Sequence, residues 1–180
     1  MDECCSVEVA AVRADPDDAS ERVTELLRGE PVKVHERAQG WTRIETVYGY
    51  PGWVRDEELG LRRGDPVEEA RTFLGTPYLW GGLTRRGIDC SGLVHIAYRR
   101  LGRIVPRDAD QQEEAGEDVP PNELRHGDLV TYGDDRADHI AFWLGDGRIL
   151  HATGRDDVRA VVEEEEPAAL RGRRRRLVRL

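Results

Sequence analysis

The chain has 180 residues, a formal net charge of -9 at pH 7 and a sequence pI of about 5.1. Hydrophobic residues make up 38% and charged residues 35%, which predicts a folded core in one domain of ordinary size or two small ones. The acidic balance argues against a nucleic-acid partner, because phosphate binding requires a basic face. No apolar run is long enough for a spanning helix, so no membrane partner is expected.

The first residues, MDECCSVEVAAV, contain neither the basic start nor the apolar stretch of a secretory signal peptide. This predicts a cytoplasmic location, or a secreted one if a leader has been removed. The cysteines Cys4, Cys5 and Cys90 are too sparse and odd in number for a disulfide framework. We expect Cys4 and Cys5 to be small hydrophobic residues near a first strand. A metal or redox role is the alternative, although no CxxC motif or nearby histidine completes a ligand set.

Short strands are predicted throughout the first third of the chain. Apolar stretches recur there at intervals of about 8–12 residues with Gly, Pro and Asp turns between them, which is typical of a small barrel. The predicted core residues are Trp41, Ile44, Val47, Trp53 and Val54. The segment GEPVKVHERAQGWTRIETVYGYPGWV resembles a bacterial SH3-like barrel. We therefore predict an all-β SH3-like domain over residues 1–62.

Helices and then strands are predicted over residues 63–180. Asp65 and Pro66 can cap and start a helix that Gly75 ends, and a second helix runs from Cys90 to a stop at Gly102. A shorter helix is predicted at Ala109–Ala115. Apolar stretches then predict strands at 128–132, 139–145, 147–152, 158–163 and 175–180. This order predicts an α+β fold with helices packed on an antiparallel sheet.

Two runs of like charge lie near the end of the chain, the acidic run Glu163–Glu166 and the basic run Arg171–Arg176. Such runs are usually solvated. We expect both to be turn and edge-strand residues in contact with water.

Cys90 is the candidate nucleophile. It lies where a Gly-rich loop ends and a helix begins, and the unpaired N–H groups and dipole of a helix start favour a thiolate. Its neighbours Asp89, Ser91 and Gly92 are small or polar, as suits an exposed turn rather than a hydrophobic core. The alternative is a buried, inert cysteine.

His139 and His151 supply the base that such a thiol requires. They lie on two predicted strands joined by the hairpin turn Gly145-Asp146-Gly147, an even number of positions apart. A loop with an odd number of residues would place both on one face, directly opposite or one step diagonal. If the Cys90 helix packs on that face, His139 can take the Cys90 proton while His151 fixes its tautomer. A zinc site built from the same three residues is the alternative.

The motifs GTPYLWGG, GIDCSGLV, PRDADQQ, HGDLV, DHIAFWLG and ILHATG together resemble the NlpC-type cell-wall cysteine peptidases. The resemblance covers roughly residues 66–180. It implies a papain-like fold and a catalytic triad of Cys90, His139 and His151, with no cofactor and no metal. The implied reaction is hydrolysis of the bond between γ-D-glutamate and a diamino acid in peptidoglycan stem peptides.

An SH3-like barrel before such a domain resembles the muropeptide-recycling branch of the family, in which the barrel restricts the cleft to stem peptides with a free N-terminal L-Ala. A buried ammonium requires a carboxylate and hydrogen-bond partners. The resemblance implies the substrate-binding residues Tyr78, Asp89, Ser91, Glu25 and Tyr50. The expected partner is L-Ala-γ-D-Glu-diamino acid, bound by a monomer.

Three residues have a second interpretation. Glu25 is otherwise a solvated strand residue, Tyr50 a barrel residue, and Tyr78 a packing residue of the loop. Arg107 pairs either with a substrate carboxylate or with the helix or loop, and Trp80 is expected to pack the loop. For the whole chain, the alternatives are a cell-wall binding protein without strong catalysis, and a thioester-forming amidase or acyltransferase on another substrate.

Overall fold

The computed structural model describes residues 3–61 and 64–180. These residues divide into two compact units. The first extends to Gly64 and includes Arg99–Arg103, and the second comprises Asp65–Tyr98 and Ile104–Leu180. The predicted boundary between residues 62 and 63 lies outside the described residues and stays a prediction. In the described part of the chain, no helix has the length and apolar character needed to cross a bilayer.

The first unit is all β, as predicted. Its strands are β1 Glu3–Cys5, β2 Val9–Arg13, β3 Arg22–Leu27, β4 Pro31–Ala38, β5 Trp41–Thr46, β6 Pro51–Arg55 and β7 Leu59–Leu61. A short 3-10 turn, Asp56–Glu58, joins β6 to β7. The seven strands pair antiparallel in the order β3-β2-β6-β5-β4-β1-β7.

The core of this unit contains most of the residues predicted for it. Trp41, Ile44 and Val54 are buried, Trp53 is half-buried, and Val47 is 60% exposed. Val47 lies in the turn between β5 and β6, where no strand partner covers it. Cys4 and Cys5 are buried and unoxidised at β1, as predicted for small hydrophobic residues. Among the described residues, no group of His, Cys, Asp and Glu could hold a metal ion.

The second unit is an α+β domain, as predicted. Its main sheet has six antiparallel strands in the order β10-β15-β11-β12-β13-β14. The helices are α1 Pro66–Arg71, α2 Cys90–Arg100, α3 Ala109–Ala115 and α4 Ala168–Arg171. The strands are β8 Leu83–Thr84, β9 Gly87–Ile88, β10 Glu117–Asp118, β11 Leu129–Tyr132, β12 His139–Gly145, β13 Arg148–Ala152, β14 Val161–Glu165 and β15 Arg174–Arg179.

Two apolar clusters lie on this sheet. The larger one packs α1 and α2 against alternate sheet residues such as Ile140, Phe142 and Leu150. The smaller one contains residues of the opposite alternation: Val130, Tyr132, Ala141 and Ile149. Because neighbouring strand residues point to opposite faces, the sheet is covered on both sides.

The boundaries of several elements differ from the prediction. The Asp65 carboxylate accepts the Val67 N–H at 2.9 Å and starts α1, as predicted, but the regular helix ends at Arg71 and continues as turns to Gly75. Strand β14 begins three residues later than expected, and helix α4 was not predicted.

The two charged runs are partly solvated, as predicted, at Glu165, Arg171 and Arg174, which are exposed. The prediction was wrong for Glu166, which is 3% exposed. It accepts two hydrogen bonds from Arg174 at 2.6 Å, one from Arg171 at 3.1 Å and one from the Tyr132 hydroxyl at 3.1 Å. Strand β15, which carries most of the basic run, lies inside the sheet between β10 and β11. Glu166 is therefore neutralised by two arginines of the basic run, whereas Glu163 and Glu164 pair with Arg71 and Arg155.

Replacing Glu166 with Gln should lower the free energy of unfolding by about 1–3 kcal/mol, because Arg174 and Tyr132 lose a buried ionic partner. Arg171 and Arg174 reach solvent, which limits the loss. The matched control is Glu165→Gln at the exposed neighbour, which should change stability by about 0.5 kcal/mol or less. Urea denaturation followed by circular dichroism measures both. Equal losses in the two variants would contradict this assignment.

Candidate active site

Asp89 caps the helix that begins at Cys90. Its Oδ1 accepts the Gly92 N–H at 2.7 Å, and its main-chain carbonyl accepts the Leu93 N–H at 2.9 Å. The N–H groups of Cys90 and Ser91 are the first two of the helix, and such groups have no intrahelical acceptor. The local sequence thus places the Cys90 sulfur beside two backbone donors.

Asp89 also ties this helix start to the preceding loop. Its Oδ2 accepts the Gly81 N–H at 2.6 Å, and Arg107 donates to both carboxylate oxygens at 2.9 and 2.8 Å. The carboxylate is 4% exposed, and each oxygen already accepts two hydrogen bonds. Its predicted role as a ligand for a substrate ammonium stays a prediction, and that ligand would displace one of these donors.

Arg107 joins Asp89 to Ser91 and the loop. Its Nη1 donates to Ser91 Oγ at 3.0 Å, and its Nη2 lies 3.3 Å from the Gly82 carbonyl oxygen. The sequence left open whether Arg107 pairs with a substrate carboxylate or with the helix or loop. The structure shows it paired with Asp89 and Ser91 at the helix start and with Gly82 of the loop. Ser91 is buried, and its carbonyl accepts from Gln112 at 3.0 Å.

Gly92 is required by the close approach of the loop to the helix. A Cβ at this position would lie 2.5 Å from the Gly82 carbonyl oxygen and 2.7 Å from Asp89 Oδ1. Both contacts are shorter than a carbon atom allows. The glycine after Ser91 thus permits the loop and helix to approach this closely.

His139 and His151 lie on neighbouring strands, and their imidazoles are in contact. Nε2 of His139 is 2.8 Å from Nδ1 of His151. The ring centroids are 5.0 Å apart and the ring planes nearly perpendicular, at 78°. Phe142 pairs with Leu150, so the same register sets His151 one step diagonal to His139. The diagonal arrangement is one of the two that the sequence predicted.

The Cys90 helix and the two imidazoles do not share a face along the whole length of the strands. Ile140 and Leu150 belong to the cluster that packs against α2, and the histidines alternate with them. The helix and the histidine pair instead approach each other at the first residue of β12. The Cys90 sulfur hydrogen-bonds the backbone at Ile140, the residue that follows His139.

Burial favours the neutral forms of both groups. It raises the pKa of Cys90 to about 11, assisted by the negative charge of Asp89 and opposed by hydrogen bonds from the backbone at Ile140, Ser91 and Cys90. Desolvation lowers the pKa of His139 to about 3, and the charges of His151 and Arg173 act in the same direction. The expectation of a resting thiolate is therefore not met, because desolvation outweighs the favourable field of the helix start.

The sequence reasoning missed a carboxylate beyond the histidine pair. Nε2 of His151 is 2.9 Å from Glu164 Oε1, and Arg155 donates to both oxygens of Glu164 at 2.9 Å. His151 pairs with Val162, so Glu164 is its diagonal neighbour on β14. The predicted strand ended at residue 163, and no sequence signal set its register against β13.

Tyr78 lies close to the nucleophile. It is half-buried, and its pKa is raised to about 12 by burial and by the negative charges of Cys90 and Asp89. A Cβ on Gly154 would lie 3.2 Å from the Tyr78 ring, so the ring packs against the segment after β13. Its role toward substrate stays a prediction.

Glu25 and Tyr50 are accessible residues of the first unit. Glu25, on β3, accepts from Arg22 at 2.6 Å, with 45% of its side chain exposed. Tyr50 is 54% exposed beside the start of β6, and its N–H donates to Thr46 Oγ1 at 3.1 Å. Both remain predicted substrate-binding residues.

Cys90 lines a cavity of about 400 Å³ within the second unit. Carboxylates outnumber guanidinium groups in its wall, although Asp89, Asp110 and Asp138 pair with Arg107, Arg136 and Arg173, so Asp108 is the carboxylate that favours a ligand with an ammonium group. Trp80 also lines the cavity and is 79% exposed, so the expectation that it packs the loop was wrong. The charged lining residues are Asp89, Asp108, Asp110 and Asp138 with Arg107 and Arg136.

The NlpC/P60 family profile matches residues 75–170, which is more than half of the chain. The chain belongs to the NlpC/P60 family. A second profile, described as the bacterial dipeptidyl-peptidase Sh3 domain, matches residues 12–59. Both resemblances predicted from the sequence are confirmed.

Relatives with known names agree with this membership. The chain is 32% identical over 126 residues to the gamma-D-glutamyl-L-lysine dipeptidyl-peptidase of Bacillus subtilis (strain 168), covering 64% of this chain and 42% of that protein. A crystal structure of an NlpC/P60 family protein from Bacillus cereus ATCC 10987 has the same fold, with a TM-score of 0.66 at 23% identity, covering 99% of this chain and 62% of that one. This NlpC/P60 chain spans about two fifths of the length of the curated relatives it matches.

The family also contains a member described as non-catalytic. RipD from Mycobacterium tuberculosis, titled a non-catalytic NlpC/p60 domain protein adapted to peptidoglycan binding, is 26% identical to this chain with a TM-score of 0.55. The matched region covers 64% of this chain and 94% of RipD. Family membership alone therefore does not establish catalysis, which depends on the geometry at Cys90.

The reaction of Cys90 with iodoacetamide should follow the titration of a raised thiol pKa. Because the thiolate is the reacting form, the alkylation rate should rise about tenfold per pH unit from about pH 7 to about pH 10. Peptide mapping separates Cys90 from Cys4 and Cys5. A rate that is already constant at neutral pH would show a resting thiolate and contradict this account.

Proposed function

We propose that this chain is a cysteine peptidase that hydrolyses the bond between γ-D-glutamate and a diamino acid in peptidoglycan stem peptides. One observation carries the proposal: the Cys90 sulfur lies at a capped helix start and in the wall of a cavity, beside the backbone of Ile140, the residue that follows His139 of the imidazole pair. A nucleophile, a base and a group that orients the base are the minimum for thioester chemistry. The name of the Bacillus subtilis relative supports the choice of bond.

The reaction follows from this geometry. Nδ1 of His139 accepts the Cys90 proton as the sulfur attacks the carbonyl carbon of the γ-glutamyl amide. The N–H groups of Cys90 and Ser91 stabilise the oxyanion. His139 then donates the proton to the leaving amine of the diamino acid, and a thioester remains on Cys90. Water, deprotonated by His139, hydrolyses the thioester and restores the thiol.

We further propose that the substrate carries a free N-terminal L-Ala. The excess of carboxylates around the cavity supports an ammonium-bearing substrate. The match to the dipeptidyl-peptidase Sh3 domain supports it as well. Glu25, Tyr50 and Tyr78 are the residues whose replacement should weaken this recognition.

The test compares L-Ala-γ-D-Glu-diaminopimelate and L-Ala-γ-D-Glu-L-Lys with their N-acetylated forms. Cleavage of a free-amine peptide is expected, with about a 100-fold lower kcat/KM after acetylation, since losing a paired ammonium costs about 2–3 kcal/mol. The Cys90→Ala variant should lose about 10⁴-fold or more in activity.

Equal cleavage of free and acetylated peptides would contradict the amine requirement while leaving the peptidase intact. No cleavage of any of the four peptides by the reduced protein would contradict the peptidase. If the inactive protein is then retained on insoluble peptidoglycan, the binding function described for RipD would replace it.

A further inference from the structure

The hydrogen bonds of the histidine pair continue beyond His151. The structure shows a continuous series of contacts from His139 Nε2 to His151 Nδ1 at 2.8 Å and from His151 Nε2 to Glu164 Oε1 at 2.9 Å. Arg155 then holds both carboxylate oxygens at 2.9 Å. Four side chains from β12, β13, the following loop and β14 thus form one hydrogen-bonded row.

The direction of each hydrogen bond in this row follows from its last member. Arg155 can only donate, so it holds Glu164 as an acceptor. Although burial raises the pKa of Glu164, the hydrogen bonds from Arg155 and His151 outweigh it and keep the pKa below the usual range. An ionised carboxylate can only accept, so Nε2 of His151 carries the hydrogen.

The same reasoning extends to His139. A neutral His151 with its hydrogen on Nε2 has a lone pair on Nδ1, and burial keeps His151 neutral by lowering its pKa. That lone pair accepts the Nε2–H of His139. Nδ1 of His139 is then left with its lone pair free, and it is the nitrogen that can act as a base.

We propose that Glu164, held by Arg155, is a positioning residue that sets the tautomers of both histidines and so makes Nδ1 of His139 the base for Cys90. The inference rests on the proposed function for its catalytic consequence, but the tautomers themselves do not depend on it. Glu164 touches neither Cys90 nor the cavity lining and acts through His151.

The surroundings of the row favour this assignment. The His151 side chain is fully buried, and 23% of the Glu164 side chain is exposed. The other charged or titratable groups that face the two imidazoles are Tyr132, whose ring is 5.7 Å from His139, Arg173, whose charge lowers the His139 pKa, and Arg155. Glu164 is the one carboxylate among these groups, and therefore the one that can fix the hydrogen on His151.

The Glu164→Leu variant tests the proposal, because Oε1 of Glu164 accepts from both His151 and Arg155, and leucine offers neither of them an acceptor. A hydrogen on Nε2 of the buried His151 would then have no partner, so both histidines should shift to the other tautomer. Nδ1 of His139 would carry a hydrogen and could not act as a base. The expected result is at least a 100-fold fall in kcat with KM within about twofold, as for a triad whose tautomer is wrong.

Nitrogen-15 NMR of the imidazoles in the substrate-free protein reports the tautomers directly. The wild type should show hydrogen on Nε2 of both histidines, and Glu164→Leu should move it to Nδ1. Glu164→Asp, which keeps the carboxylate, should retain the wild-type tautomers and part of kcat. Glu165→Gln, which makes the same charge change on the exposed neighbour, should leave spectra and kinetics unchanged.

Hydrogen on Nδ1 of His139 in the wild type would overturn the proposal, and so would unchanged tautomers and kcat in a folded Glu164→Leu variant. If Glu164→Leu does not fold, the wild-type spectrum and the Glu164→Asp variant still decide. If the wild type cleaves no peptide, the proposed function fails, while the NMR result tests the tautomer assignment separately.

Discussion

The Asp89 carboxylate is the contact on which the site depends. It caps the helix that starts at Cys90, binds the Gly81 N–H of the loop and holds Arg107 with two hydrogen bonds. Without it, the hydrogen bond from the loop to the helix cap would be lost, and Arg107 would lose its ionic partner at the helix start. The same carboxylate opposes ionisation of the sulfur, because its negative charge lies beside Cys90 and raises the thiol pKa. Accurate placement of the nucleophile is therefore combined with a neutral resting state.

Because Cys90 and His139 are both neutral at rest, activation of the thiol depends on which nitrogen of His139 carries the hydrogen. With the pKa of Cys90 raised and that of His139 lowered, the thiol is activated only when a correctly placed lone pair accepts its proton during attack. The row of His151, Glu164 and Arg155 supplies that placement, because both histidines donate toward Glu164, which Arg155 holds from the other side. The face of the sheet that carries the histidines thus contributes to chemistry at the start of α2, which packs on the other face against Ile140 and Leu150.

The sequence predicted the groups whose roles depend on local pattern. The turn from the Gly-rich loop into Cys90, the even spacing of the histidines and the helix at Ala109–Ala115 can be recognised within short segments. The roles of Glu164 and Glu166 could not be predicted, because they depend on the register of β14 against β13 and on the position of β15 in the sheet. A run of four acidic residues is usually solvated, and its sequence does not indicate that His151 and Arg174 lie next to it. Val47 was misplaced for a related reason, since an apolar residue in a strand-like stretch can lie in the turn.

The most direct test of the central claim is mass spectrometry of the protein quenched in acid during turnover of an L-Ala-γ-D-Glu substrate with an activated leaving group. The account predicts an L-Ala-γ-D-Glu acyl group on the peptide that contains Cys90, and none on Cys4 or Cys5. Turnover without an acyl group on Cys90, together with retained activity in Cys90→Ala, would contradict it.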